Sequence, residues 1–180
     1  MSTELFVSPS VENYTMPLGE LYFTAEGSTE EVHMGNSPKA EVNLTVKTAE
    51  HYSSMQGMRR KDLTVVTEAN LTFKATLDEW MPDNIAMALL ATQDEDSDGN
   101  TQLAIGEAEL VYGQIRFHAT NDVGRQVDYI LPSVAIKPSK ALAMVAEGFE
   151  SIEIEGDVQA TKVGSKYRFG TATFTTPTTE

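Results

Sequence analysis

Cysteine is absent from the 180 residues. That excludes a disulfide framework and thiol chemistry, and suits folding in a reducing cytoplasm. Positive charge is scarce: 13 Lys and Arg face 27 Asp and Glu, for a formal charge of −14. Reading a nucleic-acid sequence needs clustered basic side chains, so this balance argues against it and fits a surface that does not adhere to DNA, and equally a merely soluble acidic protein. The longest apolar stretch lies around IAMALLA, residues 85–91, well short of the ~20 residues of a membrane-spanning helix. The opening MSTELFVSPSVENY has no basic segment followed by an apolar one and does not read as a secretory signal. His33, His51 and His118 are scattered without metal spacing, and no G-x-S-x-G elbow or phosphate-cradling glycine loop occurs. No enzyme and no cofactor is expected.

What is present is alternation. In KAEVNLTVK, residues 39–47, Val42, Leu44 and Val46 point one way, while Glu41, Asn43, Thr45 and Lys47 point the other. In LTVVTEANLTFKATL, residues 63–77, Leu63, Val65, Ala69, Leu71, Phe73, Ala75 and Leu77 share one face. Thr64, Glu68, Asn70, Thr72, Lys74 and Thr76 share the other, with Val66 the exception. Period-2 patterning of this length predicts strands with one dry and one wet face. Between them, residues 48–62 (TAEHYSSMQGMRRKD) read as a loop. It is too long for a hairpin connection of about 2–5 residues, and loops of this length are usually functional or disordered.

Abundant Thr and further strand-like runs at 18–25, 107–119, 125–136, 150–161 and 166–175 make the class mainly β. The period changes at DEWMPDNIAMALLA, residues 78–91, which predicts one short helix over 82–91 with Asp83 or Asn84 as its cap. Such a helix would seal an open edge or face of a sheet sandwich. Trp80 reads as a core or interface anchor. Residues 92–101 read as a polar acidic loop, and 141–149 leave helix and strand open. Residues 1–16 read as an N-terminal arm, 17–175 as a single domain and 176–180 as a flexible end.

Asp94, Asp96 and Asp98, followed by Gly99, match the opening of a calcium loop of the form D-x-D-x-D-G. The twelfth position is Ile105, where that loop needs a bidentate Glu, and no second helix follows. A solvated acidic loop is the favoured reading, so no metal site is expected. The three consecutive cations Arg59, Arg60 and Lys61 lack nearby aromatic platforms for a nucleic-acid strand.

The arm, the block YTMPLGELYF, the Gly35–Asn36 turn, the two strands flanking EHYSSMQGMRRKDL and the helix DNIAMALLA follow one another in order. Over residues 11–91 this order resembles the major tail tube protein of bacteriophages with long, non-contractile tails. The resemblance implies a β-sandwich or partly open barrel with a flanking helix and a long inter-strand loop. Six copies would close a ring by joining their sheets edge to edge. Stacked rings would form a hollow tube through which genomic DNA passes without specific binding. Expected partners are identical copies, a tape-measure protein, and tail-terminator and tail-tip proteins. The expected location is the virion tail, after assembly in the host cytoplasm. Two other readings stand beside it: a calcium-assisted carbohydrate-binding sandwich, and the inner tube of a contractile tail or secretion apparatus.

On this resemblance the lumen candidates are Glu41, Asn43, Thr45, Lys47, Glu68, Asn70, Thr72 and Lys74 of the wet faces, with Glu153, Glu155 and Asp157 further on. A net-acidic wall would repel phosphate and ease transit. The inter-ring loop would use His51, Tyr52, Met55, Met58, Arg59, Arg60, Lys61 and Asp62 to set register against an acidic neighbour. Reversing the charge at Arg59 and Arg60 is expected to leave soluble protein that makes no tubes. Negative-stain electron microscopy checks this, and tubes of normal length from the variant would count against the role of the loop.

Overall fold

A computed structural model describes residues 14–55, 57–107 and 109–175. The N-terminal arm is thus described only from Tyr14, and the C-terminal end at 176–180 lies outside the described residues. Along the chain run β1 (Gly19–Ala25), β2 (Val32–His33), β3 (Lys39–Ser53), β4 (Arg60–Leu77), α1 (Pro82–Leu89), β5 (Thr92–Glu95), β6 (Thr101–Ala104), β7 (Val111–Ala119), β8 (Gln126–Pro138), β9 (Ile152–Val158), β10 (Thr161–Val163), β11 (Lys166–Arg168) and β12 (Thr171–Thr175). The fold is mainly β with one short helix, as the alternation predicts.

One antiparallel sheet of eight strands dominates, in the order β2-β1-β7-β8-β9-β4-β3, with β12 also on β8. It is folded on itself through β8. The first half of β8, Gln126–Ile130, pairs with β12, and the second half, Val134–Pro138, pairs with β9. Pro132 lies between the two halves, where the register to β7 also shifts. A proline has no N–H for a ladder and is tolerated at such an irregularity. The two halves face each other across Leu21, Ile115, Val134, Ile136, Leu77, Ile152 and Ile154, each at most 1 % exposed. Phe73, Met87 and Ala88 also belong to the core, the last two from α1.

The helix forms where predicted, but neither Asp83 nor Asn84 caps it. The N-cap is Met81, without a side-chain bond, and Pro82 opens the first turn. Asn84 is buried instead, and its Nδ2 donates to the carbonyls of Met34 (3.0 Å) and Glu79 (3.1 Å). The helix is thereby joined to the segment after β2 and the segment after β4. Asn36 donates from its backbone N to Glu79 Oε1 and from Nδ2 to Asp78 Oδ2, and Asp78 N donates back to the Asn36 carbonyl. The chain entering β3 and the chain leaving β4 are latched together.

Three expectations need correction. The loop predicted over 48–62 is mostly strand, because β3 runs to Ser53 and β4 begins at Arg60. The connection is 54–59, with Gly57 at φ 81°. The acidic loop 92–101 is a hairpin, β5 against β6. Residues 141–149 form neither helix nor strand, and Met144, Val145 and Phe149 there are more than 90 % exposed. The arm is pinned at Thr15, whose Oγ1 donates to the Arg125 carbonyl at 2.9 Å and accepts from Asn121 Nδ2 at 3.2 Å. Truncating Leu77 to Ala at the centre of the core is expected to cost about 2–5 kcal/mol, read from urea unfolding midpoints. A loss below about 1 kcal/mol would contradict this packing.

Candidate assembly surface

β4 has 18 residues, but β9 accompanies only Leu71–Leu77. Residues 60–70 of β4 and their partners on β3 therefore leave the body as a two-stranded ribbon, about 35 Å long at 3.3 Å per residue. Neither face of the ribbon is covered: Leu44, Val46, Leu63, Val65 and Val66 are 48–59 % exposed. The dry face predicted from alternation is dry only near the body, from Leu71 to Leu77. An isolated hairpin is marginally stable in water, and apolar side chains on both of its faces make it more so.

Register explains the apolar side chains on both faces. Lys47 pairs with Glu68, but Thr48 pairs with Val66, which leaves Thr67 unmatched. His51 pairs with Leu63 and Tyr52 with Lys61, which leaves Asp62 unmatched. Each extra residue is a β-bulge, and a one-residue shift moves all later side chains to the opposite face. Val66 thus joins the side of Val46 and Ala69, while Leu63 and Val65 cross to the side of Lys47 and Glu68. The expectation that Leu63 and Val65 share a face with Leu71–Leu77 is corrected accordingly. Val66, the one exception to the alternation, was the trace of the bulge in the sequence.

The eleven lumen candidates fall on one continuous face. Cross-strand partners lie side by side: Glu41, Lys74 and Glu155 form one row, and Asn43, Thr72 and Asp157 the next. Thr45 with Asn70 and Lys47 with Glu68 extend the face along the ribbon. Glu153 lies opposite Thr76. This face is not the net-acidic wall predicted from the sequence. Its carboxylates are laced with lysines: Lys39–Glu41 at 2.9 Å, Lys47–Glu68 at 2.8 Å, Lys74–Glu155 at 2.7 Å, Lys137–Asp157 at 3.0 Å and Lys140–Glu153 at 3.0 Å. Lys74, and then Lys137, hold the Glu155 carboxyl below the usual carboxylate range. The Lys47 and Asn70 hydrogen bonds do the same for Glu68.

At the tip, the inter-ring candidates are brought together. Tyr52 Oη donates to Glu50 Oε2 at 2.7 Å, and Lys61 bonds the other oxygen of the same carboxylate. These bonds, Lys61 first, lower the Glu50 pKa, and Glu50 in turn raises that of Tyr52. Arg59 lies over the Tyr52 ring, 5.4 Å from its centroid, and His51 Nδ1 meets Asp62 Oδ1 at 2.7 Å. Sequence reasoning missed Glu50, although its i, i+2 spacing to Tyr52 was the available signal. Met55 and Met58 are 92 % and 65 % exposed. Trp80 is half exposed, and its indole donates to the Glu150 carbonyl at 3.0 Å.

β3 ends the sheet and pairs only with β4 among the described residues. It offers fifteen residues of backbone edge, whereas β12, the free edge beside β8, offers five, all exposed. The calcium reading finds no support in the geometry. Asp94 lies on β5, and Asp96 Oδ1 is taken by the backbone N–H groups of Asp98 and Asn100, each at 2.9 Å. Among the described residues no three His, Cys, Asp or Glu side chains converge as a metal site.

A family model described as Protein of unknown function UCP028589 matches residues 15–115, a span that contains the ribbon, α1 and the β5–β6 hairpin. No curated protein matches the chain.

The depressed pKa of Glu155 predicts an acid dependence. Its contribution to stability is complete above the usual carboxylate range and is lost as pH falls through the lowered native value. Unfolding midpoints in urea should therefore decline more steeply with acid in the parent chain than in Glu155→Gln. Parallel declines would rule out the Lys74–Glu155–Lys137 arrangement.

Proposed function

We propose that this chain, which belongs to that family, is a structural subunit that completes its sheet with copies of itself. It builds rings that stack into a hollow tube of the kind found in long, non-contractile phage tails. The carrying observation is the β3–β4 ribbon: a fifteen-residue edge with no partner on its outer side among the described residues and apolar side chains on both faces. An edge of this length and composition is a template for another strand. Within a ring, one edge of each copy meets the opposite edge of the next, a head-to-tail contact that closes by rotation. The apolar residues on the two ribbon faces then gain neighbours on both sides.

The laced face of β3, β4, β9 and β8 suits the wall of a conduit. Each of its five lysines has a carboxylate within 3.0 Å, so none is left as an isolated cation for phosphate to hold. Passage of DNA along it would depend on the absence of strong attraction more than on repulsion. This role requires no catalytic step.

The test is polymerisation of the purified chain across a concentration series, followed by sedimentation velocity and negative-stain electron microscopy. Hollow filaments are expected. Leu44→Lys with Val46→Lys, both exposed positions, should remain folded by circular dichroism and make no filaments. A parent chain that stays monomeric at every concentration overturns the proposal.

A further inference from the structure

Charge is segregated along this chain. From Ala75 to Ile115 there are nine acidic residues and no lysine or arginine. This stretch includes α1 and the β5–β6 hairpin, and among the described residues none of its carboxylates enters a salt bridge. Their partners are neutral: Asp83 Oδ1 accepts from Gln93 Nε2 at 2.6 Å, and Asp78 and Glu79 accept from Asn36. The cations Arg59, Arg60 and Lys61 sit at the other end of β4. The eighteen residues of that strand separate the two poles by about 55 Å. The tip of a chain therefore cannot reach its own acidic pole.

At the acidic pole a pocket of about 260 Å³ opens between β1, β2 and α1. Its floor is apolar, formed by Phe23, Val32, Met34 and Met87, and its rim carries Glu30 and Asp83. Asn84 also lines it. The Asn84 side chain is 1 % exposed, and its Oδ1 has no donor among the described residues. The amide orientation is fixed, because Nδ2 already serves two carbonyls. A buried acceptor without a donor costs about 1–3 kcal/mol. The pocket thus matches a segment with a long apolar side chain flanked by cationic donors. Met55, Met58, Arg59 and Arg60 at the ribbon tip have that chemistry, and both methionines are exposed.

We propose that this pocket receives the ribbon tip of a second copy, with Met58 on the apolar floor and Arg59 and Arg60 against Glu30 and Asp83. The inference rests on the self-assembly reading above and specifies its stacking contact. Because tip and pocket are different surfaces at opposite poles, the contact is head to tail and propagates without closing. Rim charges of this kind make association sensitive to salt, since the Debye length is about 10 Å at 0.1 M.

The absence of cysteine makes a direct test possible. Met58→Cys and Glu30→Cys, both at exposed positions, are mixed during polymerisation and oxidised. The expected product is the mixed disulfide dimer, identified by mass, in excess of either like-with-like dimer. In parallel, Glu30→Lys with Asp83→Lys should raise the concentration needed for filaments by about tenfold or more, and added salt should act on the parent chain in the same direction. Filaments without an excess of mixed dimer, or with unchanged concentration and salt dependence in the lysine variant, overturn the pairing alone. No filaments from any chain overturn both the pairing and the assembly reading.

Discussion

Backbone pairing between β4 and β9 stops at Leu71, and most of the unusual features of this molecule follow from that. Below the stop, β4 has a neighbour on each side, and Phe73, Ala75 and Leu77 are buried. Beyond it, the same strand has one neighbour among the described residues, and its apolar side chains are exposed. Nothing in the local sequence changes at that point, since the alternation of Leu71 and Ala69 continues without a break. The difference lies in where β9 ends, at Val158. The ribbon therefore carries apolar side chains that no other described residue covers.

Charge follows a similar logic. Glu41, Lys74 and Glu155 come from three strands, yet register sets them side by side. The resulting ion pairs are mostly solvent-exposed, where such pairs add at most about 1 kcal/mol each. Their consequence is compositional: they consume the lysines of one face while the acidic pole keeps its carboxylates. A chain with a formal charge of −14 thus has a balanced face, an acidic end and a basic tip.

Much of this architecture was legible in the sequence. β1, the lower half of β4, and α1 follow from periods of 2 and 3.6, because each has one face on the core; the lower half of β3 carries the same alternation although its side chains are exposed. Only the outer end of the ribbon was hidden: residues 48–53 and 60–62 carry no apolar alternation, and the bulge at Asp62 breaks the phase, so they read as part of a loop. The β5–β6 hairpin was hidden because TQDE and TQLA bury almost nothing and carry no alternation. Segment 141–149 was undecidable because Leu142 packs against the core while Met144, Val145 and Phe149 are exposed, so its apolar residues follow neither period. The acidic and lysine residues of the balanced face were each visible, but their pairing depends on long-range register that composition does not contain.

The antiparallel seam between β4 and β9 has a mechanical consequence. A pull applied along the ribbon loads the pairs from Leu71–Val158 to Leu77–Ile152 simultaneously, in shear. They do not peel apart one after another. Since β9 is itself held by the second half of β8, tension entering at the tip is spread over the body through two successive shear seams. Built this way, the molecule resists stretching along its long axis better than it resists a sideways tug on β3, whose single ladder would unzip from its end.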